Sequence, residues 1–166
     1  MKYAAVGFLP IYIGVCLMYS PHVVTLIYTR EVANGCVQQD VTILKGVFLD
    51  THEGGILTKT GIQNSDNATL FIPQSVRAID GYSHEKKLYI EPQYYSTADV
   101  SKYWTLETAG KNSGMDCFFV LGVPDLTGPL DYQTLRKTNP HCYRVTNVDF
   151  RNFGGPKMRH WQVGGK

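Results

Sequence analysis

Apolar and polar residues alternate in short runs along this chain, and little of it keeps a helical period. Val23-Val24-Thr25-Leu26-Ile27-Tyr28-Thr29 is rich in β-branched and large apolar residues and predicts a strand. Asn34-Gly35 follows, a pair that tolerates positive φ and so marks a hairpin turn. Val41 to Leu49 predicts the return strand, with Gly46 as the place for a bulge. Gly54-Gly55 turns the chain again, and Ile56 to Thr60 continues the meander. The polar turn Asn64 to Asn67 leads into Ala68 to Pro73, a strand closed by a residue with no N–H to donate. Lys87 to Ile90 is a shorter run stopped at Pro92. Lys111-Asn112-Ser113-Gly114 turns the chain before Asp116 to Val123, the most apolar strand. Tyr143 to Phe150 alternates, but Val145 and Val148 break period two, which predicts a bulge near Asn147. Gly154-Gly155-Pro156 then turns into a final strand, Met158 to Val163.

Helical signals are sparse. Thr97 to Thr105 has room for one turn, capped by Ser96 or Thr97 with Asp99 near its start, and Leu130 to Lys137 suits a short helix. Seven or eight short strands separated by turn signals predict a mainly β fold, a small β-barrel or sandwich with one or two short helices. No repeat, low-complexity tract or linker divides the chain, so residues 21–166 are expected to form a single β-rich domain.

Residues 1–20 stand apart. Positions 3–19 carry no charge and follow Lys2, the outline of an export signal. Pro10 interrupts the stretch, no small-x-small cleavage site follows, and Val15 stands before Cys16 where a lipoprotein signal has a small residue. The run is also shorter than the ~20 residues of a spanning helix. A start assigned too early, with Met18 as the initiator, is the alternative to a signal or an extra packed segment.

Composition agrees with the pattern and removes some functions. With 43% hydrophobic residues, 18% charged residues and 11 tyrosines, the chain has material for one core and favours pleated surfaces. A net charge of +2 with scattered Lys and Arg gives no stripe for nucleic acid. The four cysteines, at 16, 36, 117 and 142, form no CxxC pair, and His141 beside Cys142 has no partner at metal-ligand spacing. Cys117 lies in an apolar run and is expected to be a buried free thiol. No cofactor or metal site is expected.

Catalytic patterns are equally scarce. There is no Gly-x-Ser-x-Gly elbow, and the glycine pairs 54–55, 154–155 and 164–165 lie between strands or at the terminus, where turns explain them. Cys36, Cys117 or Cys142 with His52, His84 or His160 would supply a nucleophile and a base, but any chain of this size contains such combinations. Asp116 admits a buried acid or a solvated residue at the start of a strand, and Asp149 and Arg151 share a strand face as a weak ion pair. No catalytic residue is assigned. His160-Trp161 is the most conspicuous pair: either an aromatic contact for a partner, or a core Trp161 with His160 facing out.

From about residue 22 a set of motifs follows in a characteristic order: Val24-Thr25-Leu26-Ile27-Tyr28, Thr42 to Val47, Ala68 to Pro73, Tyr103-Trp104-Thr105-Leu106 and Asp116 to Gly122. The closing stretches Tyr143 to Arg151 and His160-Trp161-Gln162-Val163-Gly164-Gly165-Lys166 are the most specific. In this order they resemble a family of small structural proteins from the head–tail region of tailed phages and prophages of Gram-positive hosts. The resemblance implies a minor capsid or head-completion part: a connector subunit, stopper-like or tail-completing, in a homo-oligomeric ring. Its neighbours would be virion proteins on the portal-adaptor side and the tail side, with neither a specific nucleic-acid sequence nor a membrane as partner. Its place would be the virion, and the host cytoplasm during assembly. Residues 50–66 and 124–140 are long enough to dock on neighbours. The alternative reading is an exported or surface-anchored β-domain that binds a ligand, and a Cys–His hydrolase is the third.

Overall fold

The computed structural model describes residues 20–32, 36–52, 54–58, 61–64, 66–108 and 116–166. Residues 1–19 and the turns expected at Asn34-Gly35 and at residues 111–114 lie outside the described residues.

Six strands form a closed antiparallel β-barrel, which decides between the two expected architectures. They are β1 (His22–Val32), β2 (Cys36–His52), β5 (Asn67–Pro73), β9 (Asp116–Leu121), β10 (Cys142–Arg151) and β11 (His160–Gly165). Around the wall β1 pairs with β9, β9 with β10, β10 with β11, β11 with β5 and β5 with β2; the β1–β2 pairing closes the ring. A hairpin of β3 (Gly55–Thr58) and β4 (Gly61–Asn64) joins β2 to β5.

Length and bulges explain how β2 serves three neighbours. It pairs with β1 along its first half, and at Gly46 (φ +83°) it takes an extra residue, as the sequence suggested. Its other edge meets β5 at Phe48–His52 and then β6 (Arg77–Asp80) at Thr42–Lys45. Five residues stand between Phe71 and Arg77 opposite two between Lys45 and Phe48, so the chain leaves the ladder at Pro73 and rejoins it. Strand β6 carries no alternation that the sequence pattern revealed. The register of β10 on β11 also shifts between Val145 and Asn147, where the second bulge was expected.

The alternation sorts side chains to the two faces of the wall. Inside, Val24, Leu26, Tyr28, Leu44, Val47, Leu70, Ile72, Phe119, Tyr143, Val145, Trp161 and Val163 form the main core. Outside, Ile27, Val41, Phe118, Val120 and Cys142 meet Leu130 and Leu135. Leu135 belongs to α2 (Tyr132–Thr138), the short helix expected near there, whose N-cap Asp131 accepts from the Thr134 amide at 2.9 Å. Much of the 124–140 connection is therefore held against the barrel.

The other helical expectation is corrected. Helix α1 (Pro92–Tyr95) comes earlier than 97–105, started by Pro92 in its first turn. Asp99 instead binds the amide and hydroxyl of Ser101, a local turn that competes with helix. Strands β7 (Leu88–Tyr89) and β8 (Tyr103–Trp104) pair in parallel and, with α1, cover one mouth of the barrel. Gly164-Gly165 is likewise no turn: both lie in β11. A Cβ at Gly165 would stand 2.8 Å from the Tyr143 Cβ and against the Phe119 ring.

Candidate functional site

Two polar networks lie where the cap meets the barrel. Asp40 accepts from the Tyr95 hydroxyl at 3.1 Å and faces Arg30 at 3.7 Å, while the Tyr28 hydroxyl donates to Glu107 at 3.0 Å. Tyr28 and Tyr95 stack edge to face, with ring centroids 5.3 Å apart. Burial, reinforced by the facing carboxylates, raises both phenols above their ordinary range, and burial raises Asp40 against the pull of Tyr95 and Arg30. Arg30 also donates to the main-chain oxygens of Tyr95 and Ser96 and to Gln38. Below them, Lys87 is buried against Asp80. These groups fix the cap to the wall.

The cap does not fill the mouth. A groove of about 700 Å³ runs between the 89–96 segment, residues 106–108 and the second half of β10. Tyr89, Phe150 and Trp161 supply its aromatic surface, and Glu91 and Glu107 its two carboxylates. Tyr89 and Trp161 are 4.5 Å apart between centroids, Phe150 and Trp161 5.1 Å, and Trp104 stands 5.8 Å behind Trp161. Gln93 donates to Glu91 at 3.0 Å and so orients it. Burial and then the charge of Glu91 raise the Tyr89 hydroxyl, while a hydrogen bond from Trp161 acts the other way. A smaller hollow of about 420 Å³ shares Tyr89, Glu91, Phe150 and Trp161 and extends the groove toward Gln74.

A second aromatic feature crosses the outside of the wall. Rings of His22, Phe48, Phe71, His160 and Phe153 follow one another at centroid distances of 5.7, 6.0, 5.9 and 6.3 Å. The first four are half-buried, and Phe153 is 59% exposed beside the exposed Met158. At the end of β1 the His22 ring accepts the Leu49 amide at 2.9 Å, extending the ladder with a side chain.

The structure separates the conspicuous His160-Trp161 pair. Trp161 points into the core and its edge lines the groove, whereas His160 points outward, its Nδ1 2.7 Å from the Met158 oxygen. Sequence reasoning missed the rest of the groove, because Tyr89 and Glu91, Glu107, and Phe150 come from three separate places in the chain. The cysteines are dispersed too: Cys117 faces the barrel interior, Cys142 the outer cluster under α2, and Cys36 is exposed. Burial pushes the Cys117 and Cys142 thiols up to about 12. Asp116 binds Arg144 at 3.0 Å, and Asp149 meets Arg151 at 3.7 Å on an exposed face. Among the described residues no group of three or more His, Cys, Asp or Glu side chains is arranged to hold a metal, and no helix is long and apolar enough to cross a membrane.

Fold and site together define a small closed antiparallel β-barrel protein with one mouth capped and an aromatic, acidic groove beside the cap. Residues 22–166 match the model of the family of unknown function DUF6751, and the chain belongs to that family. No curated protein and no solved structure matches it.

Proposed function

We propose that this protein is a non-catalytic structural subunit of a tailed-phage virion, one member of a ring that joins head to tail. The observation that carries the reading is the outer aromatic band from His22 to Phe153. Rings aligned across four adjacent strands on an outer face are costly to leave in water and favour cover by a neighbour. A ring needs two different faces of each subunit to meet, and the band supplies one of them. The β3–β4 hairpin, set between two barrel strands, is a candidate for the other. The sequence resemblance to head–tail proteins supplies the biological setting, with portal-side and tail-side virion proteins as neighbours.

Mass spectrometry of purified virions from an induced host tests this. Peptides of this chain at a few to a dozen copies per particle support the role, and their absence from intact particles overturns it. Phe71→Glu with Phe153→Glu is expected to leave the subunit folded and remove it from particles.

The groove favours a second reading, an exported or surface-anchored β-domain that binds a ligand. Intact-mass measurement on native protein separates the two, since export predicts a cleaved or lipidated N-terminus.

A further inference from the structure

We infer that the open edge of β10 is a docking site for a second copy of this chain, which adds its own β10 there as an antiparallel strand. The inference does not depend on the virion assignment. β10 and β9 pair only through Cys142, Tyr143 and Arg144. Beyond Arg144 the two strands part: Cys117 and Asp116 stay with Tyr28 and Thr29 of β1, while Asn147 to Arg151 follow β11. Among the described residues, 147–151 are therefore paired along one edge only. Every second residue of an antiparallel strand turns its N–H and C=O to the same side, so the other edge presents free donors and acceptors. Residues 146–151 are all exposed except the half-buried Val148, and none is Pro or Lys, which commonly shield an edge.

The order of side chains selects the occupant. Val148 and Phe150 turn toward the groove, and Asn147, Asp149 and Arg151 share the opposite face. With two copies antiparallel and Phe150 opposite the second copy's Phe150, Asp149 faces the second copy's Arg151 and Arg151 faces its Asp149. The axis through the ring pair is a two-fold, and aromatic and opposite-charge pairs across strands both favour the register. The match lies in the order acid, aromatic, base, which is its own complement when reversed and needs no net charge. Within one chain Asp149 and Arg151 meet only at 3.7 Å, each about half exposed, and Arg151 also donates to Gln162 at 3.2 Å. One strand pair is smaller than a standard interface, so the dimer is weak, with a Kd on the order of 0.1 mM.

Sedimentation velocity of the full chain, from about 5 µM to about 1 mM, tests this and is expected to show a monomer–dimer equilibrium. Rings closed through the outer band sediment as larger species and are told apart from the dimer. Asp149→Arg and Arg151→Asp each set like charges opposite one another, and each should weaken the dimer by about ten-fold or more with circular dichroism unchanged. An equimolar mixture of the two variants restores both opposite-charge pairs, and should form a heterodimer about as tight as the wild-type dimer. A chain that stays monomeric throughout, a dimer whose Kd is the same in both variants, or a mixture no tighter than either variant alone would each overturn the inference.

Discussion

The Nζ of Lys87 lies 2.8 Å from Oδ1 of Asp80, and the lysine side chain is 1% exposed. Its other donors reach the Val41 carbonyl at 3.1 Å and the Thr42 hydroxyl at 3.4 Å, so the ammonium is fully partnered. Asp80 Oδ2 in turn accepts from the amides of Tyr82 and Ser83. One ion pair therefore ties the turn after β6 to the outer edge of β2.

Breaking that pair should cost more than any surface charge. Lys87→Met leaves a carboxylate facing a buried wall, and a loss of about 3 kcal/mol is expected by urea denaturation. A variant within ~0.5 kcal/mol of wild type would mean the pair is solvated.

Acid should act on Asp80 and Asp40 in opposite directions. Burial would raise Asp80, but the hydrogen bonds from Lys87 and from the Ser83 and Tyr82 amides outweigh it, and its carboxyl sits below the ordinary value. Its stabilising contribution is present above the unfolded pKa and lost as pH falls through the folded one. Asp40 is raised, so its contribution declines as pH rises from the unfolded value to the folded one. In urea midpoints taken from neutral to acid pH, Asp80→Asn should flatten the loss of stability below about pH 4, whereas Asp40→Asn should remove a gain that the wild type makes as pH falls toward about 4.

Trp161 and His160 are adjacent in sequence and should behave as unlike residues. Trp161→Ala empties the contact with Tyr89, Trp104 and Phe150, at an expected cost of about 3–5 kcal/mol. His160→Ala should stay within about 1 kcal/mol. Thermal or urea unfolding of the two variants checks this directly.

Gly165→Ala should destabilise by about 1–3 kcal/mol, because the Phe119 ring and Tyr143 leave no room for a methyl group. Gly46→Ala meets open space, yet its φ of +83° should still cost about 1 kcal/mol through strain. Equal stability of both variants with wild type would argue against this packing and this bulge.

Thiol labelling should follow burial. Cys36 is expected to react in the native protein, while Cys117 and Cys142, buried and with pKa values pushed up to about 12, should react only after unfolding. Peptide mapping after a short exposure to maleimide distinguishes the three.

Local pattern alone determined most of the secondary structure. Period-two alternation marks the barrel strands because inward and outward residues meet different solvents, and both bulges are visible as a break or a glycine within that alternation. Strand β6 and the helix start at Pro92 were not legible, since what decides them is a rejoined ladder on β2 and a competing turn at Asp99. Only the tertiary structure decided that the wall closes, because closure rests on the pairings of β9 with β1 and of β5 with β11, between residues 87 to 97 positions apart. It also decided the groove. Tyr89, Glu91, Glu107, Phe150 and Trp161 have no shared spacing in the chain, and only the meeting of cap, β10 and β11 gives their rings and carboxylates one surface.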